Sequence, residues 1–160
     1  MGYISPEELL KRIKSPEFKL ESSLKRGVVY KLRLENDPTF SSSAPHWWVV
    51  LNKDPKSNEI IIASCATSRS TPRVRANNSQ FPERYNNSIV EVEIGGYVEF
   101  RETTLIDCNN IRKFSKGDLV QMVKNKKLEI CKEVSEILLN SIIVAARSSP
   151  TVDSSVLTLL

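Results

Sequence analysis

The chain has 160 residues, of which 40% are hydrophobic and 26% charged, and its formal net charge is +4. These values are ordinary for one globular domain, and they argue against disordered and fibrous classes. The mild positive charge permits a polyanionic partner without requiring one. The longest apolar segment, residues 137–146, is interrupted by polar side chains and is too short to cross a membrane. We expect a soluble, cytoplasmic protein with no membrane partner.

Residue counts also exclude several kinds of site. The three cysteines are odd in number and far apart, which argues against a disulfide framework. Cys65 and Cys108 lie in apolar runs and are expected to be reduced, buried thiols. With one histidine and five glycines, the sequence forms neither a zinc ligand set nor a phosphate-binding glycine loop. We therefore expect no cofactor and no metal.

The N-terminal segment predicts a short helix followed by a strand. Ser5 can cap a helix and Pro6 suits its first position, while Ser15-Pro16 ends it. Residues 22–23 are interpreted as a connector. Residues 24–34 predict a strand with one buried face, because apolar and polar residues alternate in its second half.

Two long apolar runs, residues 45–52 and 59–68, dominate the middle of the chain and are separated by a polar turn. Runs of this kind predict strands buried on both sides or rolled into a small barrel. The only histidine, His46, opens the first run, and the Thr67-Ser68 pair closes the second. If the two runs form an antiparallel hairpin, the start of one faces the end of the other, which brings His46 and Thr67 within reach.

The second half predicts further strands, two helices and a tail. Residues 89–94 alternate, and Gly95-Gly96 can turn the chain into a partner strand at residues 97–100. A strand is then predicted at 103–108, and Asn109-Asn110 ends it. A helix opening at Ser115 and a long helix over Glu129–Ala146 follow. The remaining residues are expected to be a mobile tail, or alternatively to dock through residues 156–160.

The order of these elements resembles the MazF/PemK family of toxin endoribonucleases. The segment 45–52 is similar to the family's strand of pattern RP-x-VVL-S/N, and residues 60–68 are similar to its strand ending in a Thr/Ser pair. The remaining similar segments are residues 25–30, 104–114, 119–123 and 129–146.

The resemblance implies an α+β fold, mainly β, built as a small SH3-like barrel of the MazF/PemK/CcdB type with surface helices and a C-terminal helix. It divides the chain into an N-terminal helical extension (1–20), the barrel domain (24–147) and a flexible tail (148–160). It also implies a homodimer, metal-independent cleavage of single-stranded RNA, and a cognate antitoxin as protein partner. The family's catalytic arginine has no counterpart here, because Pro45-His46 occupies its place.

The candidate catalytic residues are His46, Thr67 and Ser68. RNA cleavage without a metal needs a base, an acid and a positive charge near the phosphate. His46 can exchange protons near neutral pH, and a hydroxyl can bind a phosphate oxygen. A histidine at a strand start can equally be a structural hydrogen bonder, and hydroxyls at a strand end can bond local backbone.

The candidate RNA-binding residues lie in a polar, basic loop and in the first central strand. The set comprises Arg69, Arg73, Arg75, Arg84 and Trp48. Trp47 and Trp48 must point to opposite faces of their strand, so one of them belongs to the core. The arginines could instead form a solvated surface. The alternatives to an endoribonuclease are a non-catalytic barrel that binds nucleic acid and a module that binds only proteins.

Overall fold

The computed structural model describes residues 4–34, 44–68 and 87–160. Five helices are found in these residues: α1 (Pro6–Lys14), α2 (Pro16–Ser23), α3 (Lys116–Lys124), α4 (Glu136–Ser148) and α5 (Ser154–Leu157). The strands of the same residues are β1 (Val29–Leu32), β2 (His46–Val50), β3 (Ile60–Ser68), β4 (Ile89–Val92), β5 (Thr104–Ser115) and β6 (Leu128–Cys131).

The strands form one open sheet. Their order is β4-β5-β3-β2-β1-β6, and every neighbouring pair is antiparallel. The α+β class is therefore confirmed. The closed SH3-like barrel is not, because closure requires the two edge strands to pair, and β4 and β6 end opposite sides of the described sheet.

Helices cover both faces of this sheet, and each face has its own core. The core on the first face includes Val49 and Ile62 with Ile142 of α4. The core on the second face includes Trp48 with Leu20 of α2 and Leu119 of α3. Successive residues of β2 and β3 enter opposite cores, which confirms that the two apolar runs are strands buried on both sides. Among the described residues, no helix is long and apolar enough to traverse a lipid bilayer.

Helix α1 forms where it was predicted, and its local signals are complete. The Ser5 hydroxyl accepts a hydrogen bond from the Glu8 N–H at 3.2 Å, while the Glu8 carboxylate accepts one from the Ser5 N–H at 3.1 Å. Residues 16–23, expected as a stop and connector, form a second helix instead. Ser15 ends α1 and also caps α2, because its hydroxyl accepts the Phe18 N–H at 3.1 Å.

Two predicted elements differ from the structure because long-range contacts override the local pattern. The segment expected to open the long helix at Glu129 is β6, which pairs with β1, and α4 begins later, at a cap formed by Ser135. Residues 97–100 are not a strand. The Gly96 N–H closes a tight turn on the Glu93 carbonyl at 2.9 Å, after which Tyr97 and Phe100 turn into the first core.

The C-terminal segment packs onto the sheet rather than forming a mobile tail. Val156 and Leu160 are only 3% and 4% exposed. The backbone N–H of Lys53 donates to the Leu159 carbonyl at 2.8 Å, and the Lys113 ammonium donates to the Ser155 hydroxyl at 2.6 Å. The segment therefore docks through residues 156–160, as the alternative prediction stated.

Asn52 fixes the turn between β2 and β3, and its replacement tests that role. Its amide is 0% exposed and bonds the Ile62 N–H at 2.7 Å and the Ile60 carbonyl at 2.8 Å. Asn52→Ala leaves both backbone groups buried without a partner, so we expect a loss of about 2–4 kcal/mol in urea unfolding. Asn58→Ala removes one weaker bond to the same amide and should cost about 1 kcal/mol. Equal losses would contradict the assignment.

Docking of the C-terminal segment is tested by substituting two adjacent residues of α5, one buried and one exposed. Val156→Asp places a charge in the first core, and we expect the unfolding free energy to fall by about 3 kcal/mol or more. Leu157→Asp is the matched control, because Leu157 is 41% exposed. It should change stability by about 0.5 kcal/mol or less. A free tail would make the two variants indistinguishable from the parent.

Candidate catalytic site at the end of the central hairpin

The pairing of β2 with β3 places His46 beside Thr67. Trp47 lies opposite Ala66 and Trp48 opposite Cys65, so one further step of the same register sets His46 opposite Thr67. Side chains of directly opposed residues have Cβ atoms about 4.5–5.5 Å apart. The observed pairing is the antiparallel hairpin on which the predicted juxtaposition of His46 and Thr67 depends.

Both side chains belong to the sheet face that carries the second core. His46 and Thr67 alternate with Trp48 and Cys65, which enter that core, so they extend the same face to the end of the sheet. Each is partly buried. The Thr67 hydroxyl lies 3.7 Å from the Cys65 thiol, which ties the hydroxyl to this face. The two groups thus occupy the boundary between the core and solvent.

Partial burial also sets the protonation state of the histidine. Desolvation lowers the pKa of His46 from its ordinary value of 6.5, because the charged imidazolium loses hydration. The imidazole is consequently neutral at pH 7. A neutral imidazole is the form that accepts a proton from an attacking hydroxyl.

Arg112 of β5 brings a cation to the same face, which the sequence reasoning missed. Arg112 pairs with Ala63, and its guanidinium carbon lies 5.7 Å from the centre of the Trp48 ring. Ala63 and Cys65, which lie between them, are small enough to let the side chain cross β3. The Trp48–Cys65 row is two residues from the His46–Thr67 row, or about 7 Å along the strands. A guanidinium in this place can bind a phosphate oxygen.

An irregularity in β5 explains why Arg112 lies on this face. The register with β3 shifts between Ser64 and Cys65, so residues 108–110 have no opposite partner. The Asp107 carboxylate closes the irregularity by accepting the Asn109 backbone N–H at 2.9 Å. The chain continues as a strand beyond Asn110, where sequence reasoning ended it. If the predicted strand had been extended to Phe114, its alternation would have placed Arg112 on the same face as Phe114.

Some predicted site residues are not brought together. Ser68 follows Thr67 along β3 and therefore points to the opposite face, away from His46. Trp48 is 1% exposed and packs edge-on against Phe114 at 5.4 Å, so its ring has no face for a nucleotide base. The predicted contact of Trp48 with RNA is therefore wrong in this structure, and Trp48 is the tryptophan that belongs to the core. The four predicted loop arginines, Arg69, Arg73, Arg75 and Arg84, lie outside the described residues.

No group of three or more His, Cys, Asp or Glu side chains in the described residues could hold a metal ion. The chemical groups that this face carries are an imidazole, a hydroxyl and a guanidinium. Together they supply a proton acceptor, a hydrogen-bond donor and a positive charge, which are the groups that phosphoryl transfer uses.

Comparisons with known proteins leave the family open. A scan against protein families found no match, and a search of curated proteins found no relative. Among solved structures, the chain is similar to an endoribonuclease in complex with its cognate antitoxin from a mycobacterial species, with a TM-score of 0.49, 15% identity, and coverage of 81% of this chain and 97% of that one.

A second solved structure, an endoribonuclease from a mycobacterial species, has a TM-score of 0.46 and 16% identity over 80% of this chain and 94% of its own. At this level of similarity neither structure establishes the family or the activity of the chain.

The protonation of His46 gives a direct test of the site. Because it is the only histidine, its imidazole proton signals can be followed alone in an NMR pH titration. We expect a pKa below 6.5 in the folded chain, since burial disfavours the imidazolium. The unfolded state then binds the proton more readily, so folding stability is lost as the pH falls below 6.5 through the folded pKa.

The His46→Gln variant is the control for this titration, because it keeps the polarity and removes the proton site. Its free energy of unfolding should fall less than that of the parent as the pH is lowered through this window. A pKa of 6.5 or higher in the folded chain would show that burial does not disfavour the imidazolium, contrary to this geometry.

Proposed function

We propose that this chain is a metal-independent endoribonuclease that cleaves single-stranded RNA and acts as the toxin of a toxin–antitoxin pair. One observation carries the catalytic part of the proposal: the β2–β3 register sets His46 opposite Thr67 on one partly exposed face. A neutral imidazole next to a hydroxyl, with a guanidinium over the same face, suits attack by a ribose 2′-hydroxyl on the adjacent phosphate.

The reaction follows from these groups. The imidazole of His46 accepts the proton of the 2′-hydroxyl as that oxygen attacks the phosphorus, and the bond from phosphorus to the 5′-oxygen breaks. The imidazolium then returns a proton to the leaving 5′-oxygen. The products are a 2′,3′-cyclic phosphate and a 5′-hydroxyl, so no water and no oxidant is consumed in this step.

Thr67 and Arg112 stabilise the charge that develops on the phosphate. The Thr67 hydroxyl donates a hydrogen bond to a non-bridging oxygen, and the guanidinium of Arg112 offsets the negative charge of the pentavalent phosphorus. Arg112 thereby supplies the cation that the sequence lacks at Pro45-His46. The cation comes from β5 rather than from the start of β2.

The proposal includes the partners of such a toxin. RNA would lie across the end of the sheet, with Arg69, Arg73, Arg75 and Arg84 contributing further contacts to phosphates. An antitoxin would cover the same face and block access to His46. We also propose that the active form is a homodimer, which light scattering of the purified chain tests directly.

Cleavage of RNA by matched variants tests the proposed site. Purified chain should cut single-stranded RNA in the presence of EDTA, and His46→Ala should lower kcat by about 100-fold or more, since general acid–base catalysis contributes about 100- to 10,000-fold. Thr67→Val keeps the shape and removes the hydroxyl, so we expect a reduction of about 10-fold, the equivalent of one hydrogen bond in the transition state.

Ser68→Ala is the matched control, because it deletes a neighbouring hydroxyl that points to the opposite face. It should cleave like the parent. If Ser68→Ala loses activity and Thr67→Val does not, the assignment of the face is wrong. RNA binding without any cleavage product would favour the non-catalytic nucleic-acid-binding alternative.

A further inference from the structure

A tight turn between α3 and β6 concentrates positive charge at one end of the sheet. Lys124 is the last residue of α3, and Lys126 and Lys127 connect the helix to β6. The Lys127 carbonyl accepts the backbone N–H of Arg33 at 3.1 Å, which adds a fourth cation from the chain after β1. We call these four residues, Arg33, Lys124, Lys126 and Lys127, the basic turn.

Lys126 occupies a backbone conformation that disfavours it. Its φ is +56°, and it is the only non-glycine residue with a positive φ in the described part of the chain. The position directly follows the cap residue Asn125, where helices prefer glycine because a Cβ atom crowds the backbone. A lysine at this position lowers stability relative to glycine. Because the side chain is also exposed, folding stability does not explain the presence of lysine at this position.

The basic turn lies at the same end of the sheet as His46 and Thr67. Leu32 of β1 pairs with His46 on one side and with Leu128 of β6 on the other. Adjacent strands are about 4.8 Å apart, so the backbone of Leu128 lies about 10 Å from that of His46. Lys127 immediately precedes Leu128. The basic turn therefore lies next to β6, two strands away from β2 and its His46.

Three of the four cations of the basic turn have no carboxylate partner in the described part of the chain. Arg33, Lys124 and Lys126 form no ion pair with a carboxylate of the described residues. The nearest acidic side chain along β6, Glu129, is itself paired with Lys31 at 3.6 Å. The negative end of the α3 dipole accounts for Lys124 alone, since that effect is confined to the last helical turn.

We propose that the basic turn is a second phosphate-binding site for single-stranded RNA, which holds the strand on the β6 side of the nucleotide cleaved at His46. This inference rests on the proposed function. Lysine and arginine side chains on a strand-end turn bind backbone phosphates without reading bases. The turn therefore contributes affinity and fixes the position of the strand, and it takes no part in proton transfer.

The experiment measures RNA binding apart from cleavage. A short fluorescein-labelled RNA with 2′-O-methyl groups throughout binds but has no attacking hydroxyl, and its dissociation constant is measured over a salt series. The triple variant Arg33→Gln, Lys124→Gln and Lys126→Gly should bind about 10-fold more weakly. The slope of log K against log salt should decrease by about 2, since each single-strand phosphate contact contributes about 0.7.

A matched control removes three positive charges from other exposed surfaces. Lys53 and Lys56 lie in the turn between β2 and β3, at the far end of the sheet from His46, and Lys14 ends α1. The variant with all three changed to glutamine should keep the affinity and salt slope of the parent within about twofold. Equal weakening by both triple variants would overturn the proposal, because it would reflect net charge alone.

The single variant Lys126→Gly separates binding from folding. Relief of the backbone strain should raise Tm by about 2–4 °C while the salt slope falls by about 0.7. A raised Tm with unchanged RNA affinity would overturn the proposed role of Lys126.

The failure of this inference and the failure of the proposed function are distinguishable. If the parent binds the methylated RNA through the basic turn but leaves unmodified RNA intact, the enzyme assignment fails and the binding site stands. If unmodified RNA is cleaved and the first triple variant keeps the parent's KM, the enzyme assignment stands and the binding site is refuted.

Discussion

The register between β2 and β3 is the constraint on which the rest of the structure depends. Both strands are buried on both faces, so a slip of one residue would exchange every side chain between the two cores. Asn52, which follows β2, holds that register at the turn because its side chain bonds the backbone of β3 at Ile60 and Ile62. The same register carries His46 to Thr67 at the other end of the hairpin. Folding and the candidate chemistry are therefore set by one pairing.

The site owes its electrostatic properties to its place at the margin of the second core. Deeper in the sheet, Trp48 and Cys65 are excluded from water, whereas Ala44, just before β2, is exposed to solvent. His46 lies between these environments, where burial lowers its pKa but leaves the residue partly exposed. Arg112 reaches the same margin because β3 presents small side chains beneath it. A position between core and solvent is suited to groups that must exchange protons with a substrate.

The sequence was sufficient to predict features that depend on strong local pattern. The apolar runs joined by a polar turn predicted the hairpin, and with it the meeting of His46 and Thr67. The Ser5-Pro6 signal predicted α1. Features that depend on long-range pairing were missed. Leu128 and Ile130 match a strand as well as the start of a helix, and only the pairing with β1 decides between them.

The site was predictable only in part, for the same reason. Arg112 was not predicted as a site residue because Asn109-Asn110 has the composition of a strand end. In the structure β5 continues through these residues, which form an irregularity that Asp107 closes with a hydrogen bond. The closed barrel was expected from a resemblance, and nothing in the strand sequences distinguishes a closed sheet from an open one. The basic turn was not predicted, because Arg33 is far in sequence from the three lysines and joins them only through the pairing of β1 with β6.

The most direct test of the central claim is the identity of the cleavage products. Single-stranded RNA is incubated with the purified chain in EDTA, and the product ends are determined by mass spectrometry. Our account predicts fragments ending in a 2′,3′-cyclic phosphate and beginning with a 5′-hydroxyl, and no cleavage where a single 2′-deoxy nucleotide replaces the attacking ribose. Cleavage that persists at the deoxy position, or products that end in a 3′-hydroxyl, would contradict it.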